Sequence, residues 1–263
     1  MRRTHPVIAA LALLTMGFLY LPLLGVAVFS VNSARRGLVW KGFTLDWYLK
    51  LFENEWILAA AWNTLVLAVV STAVATVLGT VLAIGMDRFP WSKRSAAGLD
   101  ILLHIPVVIP DIILAAALVV AFGLLRLLSS AFEPGLFNMI IGHITFQIAF
   151  VALVVRSRLV AIGREIEEAA RDLFADNWYL LRRVMLPLLL PGIVAGGMLA
   201  FTLSLDDFVI SFFTAGPESQ TLPLYIFAAV RRGVTPQIHA LSTLVLLITI
   251  ILVVATERLT RRG

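Results

Sequence analysis

Residues 158–187 read R-L-V-A-I-G-R-E-I-E-E-A-A-R-D-L-F-A-D-N-W-Y-L-L-R-R-V-M-L-P, a polar island in a chain that is 60% hydrophobic and only 14% charged. Ile166, Ala169, Ala170, Leu173 and Phe174 fall at i, i+3, i+4, i+7 and i+8, one apolar stripe of a helix. Glu165, Glu167 and Glu168 lie in its first turn, where the helix dipole favours acids. Arg164–Glu168 and Glu167–Arg171 stand at i,i+4, a spacing that allows ion pairs. The pattern predicts a short amphipathic helix with two small residues that let a partner approach closely. The alternative is a helix lying flat on the lipid interface, which three glutamates beside anionic lipid argue against.

Outward from this island the chain is apolar in both directions. Mean hydropathy is +0.96 over 263 residues, far above a soluble domain, so the chain is integral to a membrane. Runs of about 20 apolar residues span a bilayer. They occur at about 7–29, 59–84, 99–125, 136–155, 185–210 and 238–255. The first run is too long for the core of a signal peptide and is read as an uncleaved span. The expectation is an all-α membrane protein of six transmembrane helices in a single domain, 1–263, with loop 156–184 between spans four and five.

Six spans put both termini on one side, and the Lys/Arg distribution says which. With a cytoplasmic N-terminus the inner segments hold Arg2, Arg3, Arg88, Lys93, Arg94, Arg156, Arg158, Arg164, Arg171, Arg182, Arg183, Arg258, Arg261 and Arg262, 14 of the 21 basic residues. Arg35, Arg36, Lys41, Lys50, Arg126, Arg231 and Arg232 fall outside. Loop 156–184 is then cytoplasmic.

Inside the spans, Thr72, Thr76 and Gly79 share one helix face and read as a close helix–helix contact. His143 and Gln147, one turn apart, read as interhelical hydrogen bonds. Span three holds Pro106 and Pro110 directly before Asp111, which predicts a kink. Span five ends in S-L-D-D-F-V-I-S-F, 204–212. At 100° per residue Gly197, Ala200, Ser204, Asp207 and Ser211 form one small, polar stripe, and Asp206 points roughly 100° away. If the helix unwinds there, both acids can face the same space. Charge at such depth usually marks a pathway, a relay or a counter-charge.

The loop resembles the EAA loop in membrane subunits of bacterial ABC importers. Glu168-Ala169-Ala170, Val184, Leu186 and Pro187 stand at that motif's spacing, with Phe174 where the motif has glycine. The run F-T-L-S-L-D-D-F-V-I-S-F-F-T-A-G-P, with T-L-P-L-Y-I-F, I-P-V-V-I-P-D-I and W-N-T-L, is similar to the second permease of spermidine and putrescine importers. The resemblance implies a MetI-like fold in a bacterial inner membrane. It implies a homologous second permease, a dimeric ATPase subunit that binds the ATP and Mg, and an outside substrate-binding protein. Glu168, Ala169, Ala170, Leu173, Phe174, Leu186 and Pro187 would couple to the ATPase. No catalytic residue, metal site or cofactor is expected in this chain, which lacks a G-x-x-x-x-G-K-[ST] loop.

A polyamine needs carboxylates for its ammonium groups and aromatic faces for its methylenes. Asp111, Asp206 and Asp207 are the acids at the outer ends of spans; Ser204, Trp47 and Tyr225 complete the candidate lining. Trp47 also fits interfacial anchoring. Three other readings compete. The same architecture could carry an anion or ferric iron. An ion-coupled carrier would show internal repeats. A membrane enzyme would need a motif such as H-E-x-x-H or G-x-S-x-G, and the chain has none.

Overall fold

The computed structural model describes residues 6–34 and 39–260, with side chains at 7–34 and 39–251. Arg2, Arg3, Arg35, Arg36, Arg261 and Arg262 therefore lie outside the described residues, as does the side chain of Arg258. The described chain is nearly all helix: α1 Pro6–Ser30, α2 Asp46–Phe52, α3 Glu55–Arg88, α4 Lys93–Val108, α5 Asp111–Arg126, α6 Leu136–Ile162, α7 Glu165–Asp172, α8 Asn177–Tyr179, α9 Leu186–Asp206, α10 Val209–Thr214, α11 Leu222–Arg232 and α12 Pro236–Thr260. A single turn of 3₁₀ helix covers Ser130–Phe132, and a π-helical stretch, Leu180–Met185, joins α8 to α9. Pro187 explains that stretch. Its ring cannot accept a place against the carbonyl four residues back, and a widened turn accommodates it.

Four helices among the described residues are long and apolar enough to cross a membrane: Val7–Ser30, Glu55–Arg88, Leu136–Ile162 and Asn177–Asp206. A fifth arises if α4 and α5 count as one broken span; they meet at 107°. The bend follows from chemistry. Ile109 and Pro110 are both extended, and Pro110 serves as the N-cap of α5. The expected kink is thus a sharp break.

The chain divides into two compact units, Met1–Leu58 with Tyr225–Gly263, and Ala59–Leu224. In the first, α12 packs on α1 and α2. Asn32 is its polar pin, with 1% of its surface exposed. Its amide donates to the Val39 carbonyl at 2.9 Å and its Oδ1 accepts from Lys41 N at 3.0 Å, closing the loop after α1. Among the described residues α1 is exposed from Val7 to Leu24 and becomes partly covered only towards Ser30.

In the second unit α6 packs on α9, with α3 and α4 against the same core. Small residues set the distance, as they do where helices meet without a hydrophobic drive. A Cβ on Gly79 would lie 2.8 Å from Val151 Cβ, and one on Gly197 would lie 3.0 Å from Thr76 Oγ1. The close contact read from Thr76 and Gly79 is therefore present, against α6 and α9.

Span five departs from its expected limits. Its helix stops at Asp206, four residues short of Ile210, because Asp207 is extended (φ −61°, ψ 127°) and α10 starts afresh at Val209.

Candidate functional sites: the α7 loop and the α9–α10 break

The loop helix α7 begins after Gly163, whose φ of +77° turns the chain back beside the end of α3. There Glu167 meets Arg88. Arg88 Nε and Nη2 both lie 2.6 Å from Glu167 Oε1, and Nη2 also donates to the Gly163 carbonyl at 3.3 Å. Arg164 donates to the Asp87 carbonyl at 2.9 Å. The expected Arg164–Glu168 and Glu167–Arg171 pairs are not formed among the described residues. The return of the chain offers both residues partners on α3 instead.

The apolar stripe of α7 divides in two. Ala170 turns inward onto the buried cluster containing Leu159 and Leu180. Ala169, Leu173 and Phe174 point outward, with Phe174 97% exposed. Glu168 is exposed as well. The helix ends in a Schellman motif: Ala175 N–H donates to the Ala170 carbonyl at 3.0 Å and Phe174 N–H to Arg171 at 2.9 Å. That motif demands a left-handed residue, and Phe174 supplies it at φ 63°. It is the only non-glycine residue with positive φ among the described residues. Leu186 and Pro187 open α9 beyond the π-helical stretch.

The second site is the break after Asp206. Asp207 turns inward, its side chain 10% exposed. Its Oδ2 accepts from Ser211 N at 2.8 Å and its Oδ1 from Ile210 N at 3.3 Å, so it caps the start of α10. His143, fully buried on α6, places Nε2 3.3 Å from Asp207 Oδ2 and 3.1 Å from Ser211 Oγ. Its Nδ1 is 2.8 Å from Ser204 Oγ, and Ser204 reaches Ser71 on α3 at 3.4 Å. One turn along α6, the Gln147 amide donates to the Ala200 carbonyl at 2.9 Å. Asp206, by contrast, is exposed.

Residues 75–262 match the family described as "Binding-protein-dependent transport system inner membrane component". The chain belongs to this family. This permease is 38% identical over 245 residues to the "Spermidine/putrescine transport system permease protein PotC" of Escherichia coli (strain K12), covering 93% of this chain and 90% of that one. It is 38% identical over 235 residues to the "Putrescine transport system permease protein PotI" of the same organism, covering 89% and 83%. Its fold is shared with a bacterial ABC transporter involved in the import of the acidic polysaccharide alginate, at a TM-score of 0.76 and 19% identity over 97% of this chain and 95% of that one. The permease is thus an inner membrane component with an ABC importer fold.

The structure brings together only part of the candidate lining. Ser204 and Asp207 meet through His143, while Ser204 itself is 2% exposed. Asp111 is exposed at the first residue of α5. Trp47 and Tyr225 belong to the other compact unit. There the Trp47 indole donates to the Asn32 carbonyl at 2.8 Å, and Lys50 Nζ sits 4.8 Å from the ring centroid. The sequence signalled His143 only as a hydrogen-bonding histidine in an apolar run. Its partner Asp207 lies 64 positions away, beyond any periodic pattern.

Proposed function

We propose that this permease and a homologous second permease together form the pathway by which spermidine or putrescine crosses the inner membrane, driven by ATP hydrolysis in a separate dimeric ATPase subunit. An external binding protein delivers the cargo. The chain is a single membrane domain of six spans with both termini cytoplasmic, α12 being the sixth and the α4–α5 pair the third. The ATPase holds the ATP and Mg, and this chain carries no cofactor.

The observation that carries the reading is 38% identity, over nine-tenths of both chains, to a permease named for these two cations. The acids at the outer ends of the spans suit the same cargo. An open carboxylate beside a broken helix can replace water around an ammonium group, as Asp206 would and Asp111 would at the α4–α5 break. Trp47 and Tyr225 would supply aromatic faces. Ser204 and Asp207 would stand behind Asp206. On the cytoplasmic side Glu168, Ala169, Leu173 and Phe174 would enter the ATPase surface, with Ala170, Leu186 and Pro187 fixing the loop that presents them.

The test is uptake of radiolabelled putrescine and spermidine into vesicles holding both permeases, the ATPase and the binding protein. ATP-dependent entry of either is expected. Entry of an anion such as a phosphonate, with neither polyamine carried, would overturn the cargo.

A further inference from the structure

We infer that His143 is the positioning residue of the α9–α10 break: it holds Asp207 inward as the cap of α10 and leaves Asp206 as the carboxylate of the pair open to a cation. The inference rests on the proposed use of this break in transport. Its basis is the geometry of one fully buried ring.

The imidazole touches every piece of the break. Nδ1 meets Ser204 on the last turn of α9, and Nε2 meets Asp207 in the extended link and Ser211 on α10. A carboxylate only accepts, so the proton sits on Nε2, and in the neutral ring Nδ1 accepts from the Ser204 hydroxyl. Phe146 packs 5.5 Å from the ring and keeps it in place. The Nε2–H holds Asp207 inward, separating a structural carboxylate from a cargo carboxylate.

The experiment uses the whole assembly in vesicles, with His143→Gln, His143→Asn and His143→Leu. A glutamine amide nitrogen reaches the Nε2 position, an asparagine amide reaches only Nδ1, and leucine reaches neither. Each is combined with Asp207→Asn and, separately, with Asp206→Asn. Vmax and KM for putrescine uptake are measured alongside ATP turnover stimulated by the binding protein.

His143→Leu and His143→Asn should lower Vmax about tenfold while KM changes less than about twofold, and His143→Gln should recover most of the loss. Asp207→Asn should add little to His143→Leu, whereas Asp206→Asn should multiply with it, as independent sites do. Equal defects in the glutamine, asparagine and leucine variants would overturn the inference, as would Asp207→Asn multiplying as Asp206→Asn does. If the leucine variant fails to assemble, glutamine against asparagine decides. If the parent assembly carries no polyamine, the cargo reading fails, and the same cycle read in stimulated ATP turnover still decides the role of His143.

Discussion

Arg88 grips Glu167 at 2.6 Å through two guanidinium nitrogens, tying the last turn of α3 to the loop helix α7. Both side chains are about 15% exposed, so water screens the pair only partly. The pair thus ties α7 to the end of α3 as a partly shielded contact.

Breaking this pair should loosen the loop. Glu167→Gln keeps the shape and removes the charge, and hydrogen bonds to charged groups are worth about 1.5–3 kcal/mol. A comparable loss is expected in the unfolding free energy of the purified permease, with Arg88→Ala costing at least as much. In a double-mutant cycle the two losses should be strongly non-additive. Simple additivity would show that the contact carries no coupling.

Phe174→Gly should stabilise the chain. A left-handed residue with a Cβ costs about 1–2 kcal/mol, which glycine avoids. Thermal unfolding in detergent should move to higher temperature. A lower midpoint would mean that the Phe174 ring contributes packing that its 97% exposure does not suggest.

The proposed docking role of α7 is best probed at Ala169, which is exposed, rather than at Ala170, which packs on the core. Ala169→Asp should leave the unfolding midpoint of the isolated permease unchanged. Burial of the new charge against the ATPase would cost several kcal/mol, so co-purification of the two subunits should be lost. Ala170→Asp should lower the midpoint as well. Normal ATPase association in the Ala169→Asp variant would remove α7 as the docking element.

Orientation can be read directly, because the chain has no cysteine. Single cysteines at Ser33 and Glu218, both exposed, should react with an impermeant thiol reagent from outside. Those at Lys93 and Asn177, also exposed, should react only after permeabilisation. Outside labelling at Asn177 would invert the topology and place α7 where no ATPase can reach it.

What could be read from the sequence was local. Four long helices announce themselves by their own runs of apolar residues, and α7 by its stripe and its acidic first turn. The features that failed to show were made by distant partners. Glu167 stands at i,i+4 to Arg171, yet its partner is Arg88, 79 positions away. The left-handed end of α7 is local, but it falls on a phenylalanine, so only the motif's glycine at that position, and not the residue itself, marks it. S-L-D-D-F-V-I-S-F contains neither proline nor glycine, so its period runs on unbroken. The helix stops there because Asp207 finds His143 and the free amides of α10.

That difference between neighbours gives the sharpest prediction, since Asp206→Asn and Asp207→Asn should fail in different ways. Asp207 caps α10 and touches a buried histidine, so its neutral variant should lose stability. Both oxygens of Asp207 are in use, so the asparagine NH2 must face a donor, either Ile210 N–H or Ser211 N–H with His143. A buried group left unpaired costs about 1–3 kcal/mol, and the unfolding midpoint of the purified permease should fall. Asp206 is exposed and has no such duty. Its variant should unfold at the parent temperature. If it meets an ammonium group shielded from water, the loss is about 1.5–3 kcal/mol, or roughly ten- to a hundredfold in polyamine uptake at about 1.4 kcal/mol per decade. Asparagine keeps the shape and one acceptor at either position, so each defect reports charge rather than packing. A parent-like uptake rate in Asp206→Asn would remove the open carboxylate from the pathway. A fall in its unfolding midpoint would instead make Asp206 a second structural acid, and the break would then present no charge to a cation at all.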